Sequence, residues 1–489
     1  MSGEAGIVSQ SRAAGWDAKD SVALAAVLVI SAGLCLYRLA ARSIWFDEAA
    51  AIAFARALEL RPGHIFPDGG SMAAYHLFLK AWLGFGDSAS IVRMPSVFFA
   101  ASTAGVLYFL ARKFFDRQLA LIAALLLVTN ASFVRYGQEA RGYALEMLMV
   151  TAAWLALAVA LERRATKWFL LYGLLAGGAV TVHMFAVFFI VAQVISLLFL
   201  ERGQVPRRKV LIGLGVAALG AFPIFVVAAR TGAGQISWIP PLSTTAIGDV
   251  FSFMAGMHLS IGPQGLRVVW LLSCAAGWAG GLVLSARTLI RRGRSWETWS
   301  RMAVFLWFVV PLGMAFAVSA AVQSLMVPRY FIALLPAGAL LLGLAISRIR
   351  NLVTRYASLV LLVTLSLVGM VRVQPDTGET GWRDAVAYVM NETQPGDSVL
   401  FIPWFQRPLF DYYAGPMNAE PPPTAGTDRI SGRVWLVSTP IVKVDHDANL
   451  EPSAEVSTLL RALGSYRVVS TRAFGDVGVQ LVEVQGRSS

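Results

Sequence analysis

Cysteine and charge are both scarce in this 489-residue chain. It has two cysteines, Cys35 and Cys274, each inside an apolar run, and 14% charged residues, where about 25% is usual. Two such cysteines exclude a disulfide-stapled secreted domain and offer no zinc spacing or thiol nucleophile. The shortage of charge excludes a disordered chain or a collagen-like fibre. Acidic residues are the scarcer sign, 29 against 41 Lys and Arg, for a net charge of +12. What is abundant is apolar: 57% of residues are hydrophobic and the mean hydropathy is +0.63, more than one soluble core can hide. The composition is that of a polytopic membrane protein. Its basic residues lie between apolar runs and not in one stripe or tail. That pattern fits orientation in a membrane and contact with anionic lipid head groups, not nucleic acid.

Residues 1–19 are polar and Ser21 to Ala40 is apolar. This stretch exceeds the roughly 7–15 residues of a cleavable signal and reads as a retained first helix. Further runs of spanning length occur at roughly 96–111, 118–134, 143–161, 168–182, 184–200, 209–229, 266–286, 302–322, 331–347 and 356–372. The expectation is about 11 transmembrane helices, with 168–200 forming a tight hairpin. One set of connections carries Arg112, Lys113 and Arg117; Arg163, Arg164 and Lys167; Arg202, Arg207, Arg208 and Lys209. It continues with Arg287, Arg291, Arg292, Arg294 and Arg301, then Arg348, Arg350 and Arg355. The positive-inside bias assigns that set to the cytoplasm. The first long loop, 41–95, and everything beyond residue 373 are then extracytoplasmic. The expected domains are a cytoplasmic segment 1–19, a transmembrane domain 20–373 and an outer domain 374–489.

That outer domain has no run of spanning length. Strand-like Ser398–Ile402, Val434–Ser438, Tyr466–Thr471 and Val477–Val484 alternate with helix-like Trp382–Asn391, Phe405–Tyr413 and Ala454–Leu463, with a loop at Pro421–Pro423. Such alternation predicts a small α/β domain. Gly213-Leu-Gly215 lies in an apolar helix with no strand before it, so it is no nucleotide fingerprint.

An ionisable group at the centre of a spanning helix costs about 2.5–3.5 kcal/mol, and the midplanes here are nearly free of them. The unusual polar groups gather at the outer helix ends. The first outer loop opens on Trp45-Phe46-Asp47-Glu48. Asp47 and Glu48 fit either the capped start of a helix or carboxylates held at the lipid–water boundary as a base or clamp. Met72, Tyr75, Leu79 and Trp82 recur at helical spacing, which predicts a helix in the interface, with His76 and Lys80 sharing a face. Lys80 fits a snorkelling anchor or a phosphate ligand. The next outer turn holds Arg135, Gln138, Glu139, Arg141, Tyr143 and Glu146. On a single helix, Arg135, Glu139, Tyr143 and Glu146 form one stripe and Arg141 points elsewhere. His183 sits at the hairpin. Arg329 and Tyr330 begin a late helix, and the Arg329 guanidinium is suited to two phosphate oxygens.

Read in order, Asp47-Glu48, Ala74 to Trp82, Gly86-Asp87-Ser88, Arg93-Met-Pro95-Ser96, Tyr136-Gly-Gln138-Glu139-Ala-Arg141-Gly-Tyr143, His183 and Pro328-Arg329-Tyr330 resemble bacterial C-type membrane glycosyltransferases. These are enzymes of the dolichyl-phosphate-mannose protein mannosyltransferase-like superfamily, akin to aminoarabinose and galacturonosyl transferases. The resemblance spans about residues 40–345, and Trp382-Arg383-Asp384-Ala385 and Pro395-Gly396-Asp397 are similar to the outer domain of such proteins. It implies inverting transfer of a sugar from a polyprenyl-phosphate donor to a lipid, glycan or protein acceptor in the envelope, at the outer face of the bacterial inner membrane. It implies Asp47 as base with Glu48 beside it, and Arg329, Arg141 and Lys80 at the donor phosphate. Tyr75, His76, Gln138, Glu139, Tyr143, His183 and Tyr330 would line the cavity. No cofactor is required by this resemblance, although Asp47, Glu48 and His76 are residue types that a divalent ion accepts. Many relatives carry a Pro-Pro-Leu-Tyr-Tyr type of block where this chain has Met72-Ala-Ala-Tyr75-His76, which points to a different donor or acceptor pocket.

Two other classes stay open at this stage. A lipid-linked sugar transporter predicts ionisable or broken-helix sites near the midplane, and neither is clear. An envelope-binding sensor predicts that the outer domain works alone.

Overall fold

The computed structural model describes residues 15–58, 72–256, 264–373, 381–415, 432–439, 466–475 and 477–484. The chain divides into two compact units, Met1–Leu39 with Ala57–Val373, and Ala40–Arg56 with Gln374–Ser489.

The first unit is helical because its long apolar runs leave no other way to pair their backbone groups away from water. Among the described residues, seven helices are long and apolar enough to cross a membrane. They are α1 (Ala18–Leu36), α4 (Ala89–Phe114), α7 (Tyr143–Arg163), α10 (Arg207–Thr231), α12 (Gln264–Arg292), α13 (Trp296–Ala321) and, with a 3-10 lead of Pro328–Leu334, α14 (Leu335–Ser347). An eighth span is broken: α5 (Arg117–Val128) and α6 (Ala131–Gly137) meet at 64°. The break follows from capping, since the Asn130 side chain accepts from the N–H groups of Ser132 and Phe133 and starts a new helix. Shorter apolar helices are α8 (Thr166–Val182), α9 (Val187–Ser196) and α15 (Leu352–Val373). Each apolar run of the sequence thus contains helix, and the fold is the expected polytopic one. Among the described residues, two short helices join them, α3 (Ala73–Trp82) and α11 (Thr244–Met254), whereas α2 (Phe46–Ala57) falls almost wholly in the second unit.

Lipid tails give no hydrophobic drive for helix association, so close packing must supply it. The tightest crossing is α8 on α10. A Cβ built on Gly173 would meet the Gly213 carbonyl oxygen at 2.3 Å, and one on Gly177 would meet that of Ala217 at 2.8 Å. The glycines of Gly213-Leu-Gly215 are therefore packing residues on one side only, because Gly215 faces open space. Helices α4, α7 and α14 are mostly buried. Leu211, Leu219 and Phe222 of α10, and Val353 and Val360 of α15, are exposed and apolar, as a lipid-facing ring requires.

Ionic contacts join the Arg-rich ends of the spans. Asp20, fully buried at the start of α1, accepts from Arg112 at 2.6 Å, Arg117 at 2.9 Å and the Tyr108 hydroxyl at 2.9 Å. Lys113 pairs with Glu162, and Arg355 reaches Gln118 at 3.4 Å. Residues that the charge bias treats only as markers of sidedness here tie α1, α4 and α5 together.

In the second unit, the sheet order is β1 (Ser398–Ile402), β2 (Gly432–Ser438), β4 (Val477–Val484), β3 (Tyr466–Phe474). Strands β1 and β2 are parallel, with Ser398 opposite Val434, and the other pairs are antiparallel. Leu400, Ile402, Val434, Leu436, Val482 and Val484 form the core of one face. On the other face, α16 (Trp382–Glu392) and α17 (Arg407–Ala414) cover the sheet, with Tyr388 edge-on to Trp435 and Phe401 edge-on to Phe410. Asp397 is buried and accepts from Arg433 and from the Trp435 indole, both at 2.9 Å. The expected helix Ala454–Leu463 and the Pro421–Pro423 loop lie outside the described residues. The first-loop segment of this unit is tied to its tail: the Tyr413 hydroxyl is 2.6 Å from the Ile44 N–H and 3.2 Å from the Ile44 carbonyl, and Phe46 packs on Phe405 at 4.9 Å.

Candidate active site

Asp47 and Glu48 occupy the first turn of α2, where the helix dipole favours carboxylates. Glu48 Oε2 accepts from the Trp45 N–H at 3.4 Å, the back-bonding half of a capping box. Glu48 is buried, and Asp47 is half-buried.

In the helical unit the site residues come from four chain breaks. The first is α3, an amphipathic helix as the spacing predicts. Tyr75 and His76 are buried, Lys80 is half-buried in its last turn, and Leu77 and Phe78 are exposed. Phe78 stacks on Trp82 and Trp82 packs on Phe85, an aromatic group suited to a membrane interface.

The second is the α6–α7 turn. Arg135, Glu139, Tyr143 and Glu146 do not share one helix, because the helix ends at Gly137 and restarts at Tyr143. Arg135 still reaches Glu139, at 3.7 Å. Freed from a helical stripe, Arg141 lies over the Tyr143 ring at 5.9 Å and does not point away from the group. Gln138 gives its amide to the Cys35 and Tyr37 carbonyls, at 2.9 and 2.8 Å, so it binds the end of α1. The Ser96 hydroxyl donates to the Glu139 carbonyl at 2.5 Å, and buried Arg93 donates to the Leu39 carbonyl at 2.9 Å. The turn approaches α3 and α8 closely enough to need a glycine. A Cβ on Gly142 would be 3.0 Å from Val182 and 3.3 Å from Tyr75 Cβ.

The third break is His183, in extended backbone between α8 and the 3-10 turn Met184–Ala186. Its ring lies 5.8 Å from Tyr143 and 4.7 Å from Tyr330. Its Nδ1 is 3.7 Å from an oxygen of Glu146, a fully buried carboxylate in the first turn of α7. The fourth break is the 3-10 segment Pro328–Leu334, where Arg329 lies over Trp238 at 5.3 Å.

Electrostatics unite these parts. Burial, then the positive charges of Arg141 and Arg329, push the His183 imidazole down to about 3. Burial and Arg141 push His76 down to about 3 as well. Both rings are neutral near pH 7, and both guanidinium groups bear on one imidazole. The arrangement offers two fork-shaped cations set among aromatic rings, which is chemistry for a phosphate. Sequence reading left Glu146 and Trp238 out of the site. Glu146 had a signal, an acid inside a spanning helix; Trp238 had none beyond lying in a loop. Among the described residues, no three His, Cys, Asp or Glu side chains come together as a metal ion would need.

Comparison with known proteins agrees with this architecture. Residues 69–228 match the family model described as dolichyl-phosphate-mannose-protein mannosyltransferase. No curated protein matches the chain by sequence. Among solved structures, ArnT from Cupriavidus metallidurans bound to undecaprenyl phosphate is 13% identical, with a TM-score of 0.57 over 94% of this chain and 97% of that one. The Archaeoglobus fulgidus oligosaccharyltransferase AglB, in complex with an inhibitory peptide and a dolichol-phosphate, is 12% identical, with a TM-score of 0.56 over 86% of this chain and 69% of that one. An Archaeoglobus fulgidus oligosaccharyltransferase in its apo form gives a TM-score of 0.51 at 13% identity over 80% of this chain, which spans 64% of that protein's length. The fold is that of the C-type membrane glycosyltransferases. The family match covers residues 69–228, and over the rest of the chain the likeness is one of fold.

Proposed function

We propose that the protein transfers a sugar from a polyprenyl-phosphate donor to a hydroxyl-bearing envelope acceptor, at the outer face of a bacterial cytoplasmic membrane. The observation that carries this reading is the grouping of Arg141 over Tyr143, with Tyr143 and Tyr330 flanking His183 and Arg329 next to Tyr330 in the chain. Two arginines among tyrosines suit a phosphate monoester whose charge grows as it leaves. The undecaprenyl phosphate and dolichol-phosphate held by the two structural relatives are of that class.

In this reading the acceptor oxygen attacks the anomeric carbon from the face opposite the phosphate, with inversion. The new C–O bond forms as the sugar–phosphate C–O bond breaks. The acceptor proton passes to the Asp47 carboxylate, and the electron pair of the broken bond stays on the polyprenyl phosphate. Arg329 and Arg141 stabilise that developing charge, where preorganised donors have their largest effect. Lys80 adds a third cation for the donor phosphate. Neutral His183 and His76, with Tyr75, Tyr143 and Tyr330, contact the sugar without adding charge. Glu48 holds the start of α2 through the Trp45 N–H, and Glu139 and Gln138 shape the turn that presents Arg141. No metal is needed by this scheme.

The test uses purified protein in nanodiscs with a panel of radiolabelled polyprenyl-phosphate sugars and envelope extract as acceptor. Release of free polyprenyl phosphate that depends on the extract and on Arg329 and Asp47 is the expected result. Tight donor binding without turnover from any extract, unchanged in both variants, would overturn it.

A further inference from the structure

A second cationic group lies at the Arg-rich end of the helical unit, where α12, α13 and α14 pack against one another. Arg292 ends α12, Arg301 lies in the second turn of α13, and Arg348 follows the last residue of α14. Among the described residues, the carboxylate paired with them is Glu297. It meets Arg292 and also accepts from Arg301 at 3.2 Å. Arg292 and Arg348 both lie close enough for their charges to be felt at Arg301. One carboxylate against three guanidinium groups leaves two positive charges uncompensated.

Arg292 and Arg348 have an ordinary structural reason to be there, since cations suit helix C-termini. Arg301 lies in the second turn of α13, where its ionic partner among the described residues is Glu297, one turn before it. Its side chain is only 12% exposed. Its Nε is buried and has no hydrogen-bond partner among the described residues. A guanidinium held out of water beside two like charges and half of one carboxylate is costly unless an anion completes it. Half-buried Trp296 lies in the same helix and packs on the fully buried Trp299, ring centroids 4.7 Å apart.

We propose that Arg292, Arg301 and Arg348 form a phosphate-binding site, separate from the sugar-transfer site, at the Arg-rich end of the bundle. Its ligand is a phosphodiester or phosphate monoester group. The geometry is the same for an anionic lipid head group and for a free phosphate, so the experiment separates the two sources.

The full-length protein is purified into neutral detergent and titrated with phosphatidylglycerol, phosphatidylcholine or inorganic phosphate. Bound lipid is counted by native mass spectrometry and thermal stability is followed in parallel. If the source is lipid, phosphatidylglycerol is retained and phosphatidylcholine is not. If it is soluble, inorganic phosphate raises the melting temperature and phosphatidylglycerol is not retained. Each basic residue near a membrane surface is worth about a fivefold change in binding. Arg348→Gln, at an exposed position that should not disturb folding, should therefore weaken the selected ligand about fivefold. Arg301→Gln should weaken it at least as much, and Arg163→Gln, which removes the same charge at another connection, should leave it unchanged. Equal binding by wild type and Arg348→Gln, an equal loss in Arg163→Gln, or no preference for phosphatidylglycerol together with no effect of phosphate would each overturn the site.

Discussion

His183 Nδ1 stands 3.7 Å from a carboxylate oxygen of Glu146, joining the break after α8 to the first turn of α7. The distance is too long for a hydrogen bond, and neither oxygen of Glu146 has another partner among the described residues. Arg141 and Arg329 act on the same imidazole from two other segments. A buried acid, a neutral histidine and two cations thus share one region of the helical unit.

The histidines set a pH dependence. His76 and His183 are pushed to about 3 in the folded chain, from 6.5, so below pH 6.5 the unfolded chain takes up protons that the folded one does not. Their contribution to stability is complete above about pH 6.5 and is lost as pH falls towards 3, by at most about 1.4 kcal/mol per pH unit for each ring. Thermal unfolding in detergent between pH 7 and pH 4.5 should show this slope, and His183→Gln should flatten it. An unchanged slope in the double His76→Gln, His183→Gln variant would contradict the assignment.

Loss of the leaving-group arginine should be costly. Arg329→Ala should remove about 3–4 kcal/mol of transition-state stabilisation, roughly two to three decades in rate. Arg329→Lys should recover only part, because an ammonium lacks the planar fork. Single-turnover release of polyprenyl phosphate measures both.

Asp47→Asn should lose more activity than Arg329→Ala while keeping membrane insertion and melting temperature, since the side chain is half-buried in the first turn of α2. Near-normal turnover by the purified variant would remove the base assignment.

Packing of α8 on α10 predicts a paired result. Gly213→Val places carbon against the Phe169 carbonyl oxygen, 2.7 Å from the new Cβ, and should destabilise by at least about 1–3 kcal/mol. Gly215→Ala, two residues on and facing open space, should be neutral or slightly stabilising, because alanine is the better helix former. Melting temperatures in one detergent compare the two directly.

Asp20→Asn removes the acceptor shared by Arg112, Arg117 and Tyr108. Breaking such a pair from one side leaves cations with no counter-charge, at a cost on the order of 3 kcal/mol. The variant should melt markedly lower than wild type, with Asp17→Asn, an exposed neighbour, affected far less.

Much of the architecture was legible because its causes are local. A run of about 20 apolar residues must be helical in lipid whatever surrounds it, and each of the sequence's apolar runs contains helix. The strands Ser398–Ile402 and Val477–Val484 were legible for a similar reason, short β-rich runs between turn residues, and both are present as read. Site residues were less legible. The stripe from Arg135 to Glu146 assumed one helix, and the break from Gly137 to Tyr143 replaced it. Gln138 carries a cavity residue's chemistry but is occupied by two backbone carbonyls. Asp20, which the sequence does not single out, is buried under two arginines more than 90 residues away.

The sequence by itself determined that the chain crosses a membrane many times, which connections are basic, and that an α/β segment follows the last span. These follow from composition and from periods of two and 3.6 residues, which act over one element at a time. Only the tertiary structure decided that Tyr143, under Arg141, and Tyr330 flank His183, that Glu146 lies beside that ring, and that Ala40–Arg56, with the acidic pair, groups with the C-terminal tail. Such meetings depend on how helices cross and where they break, and pairing between distant segments leaves no periodic trace in the chain.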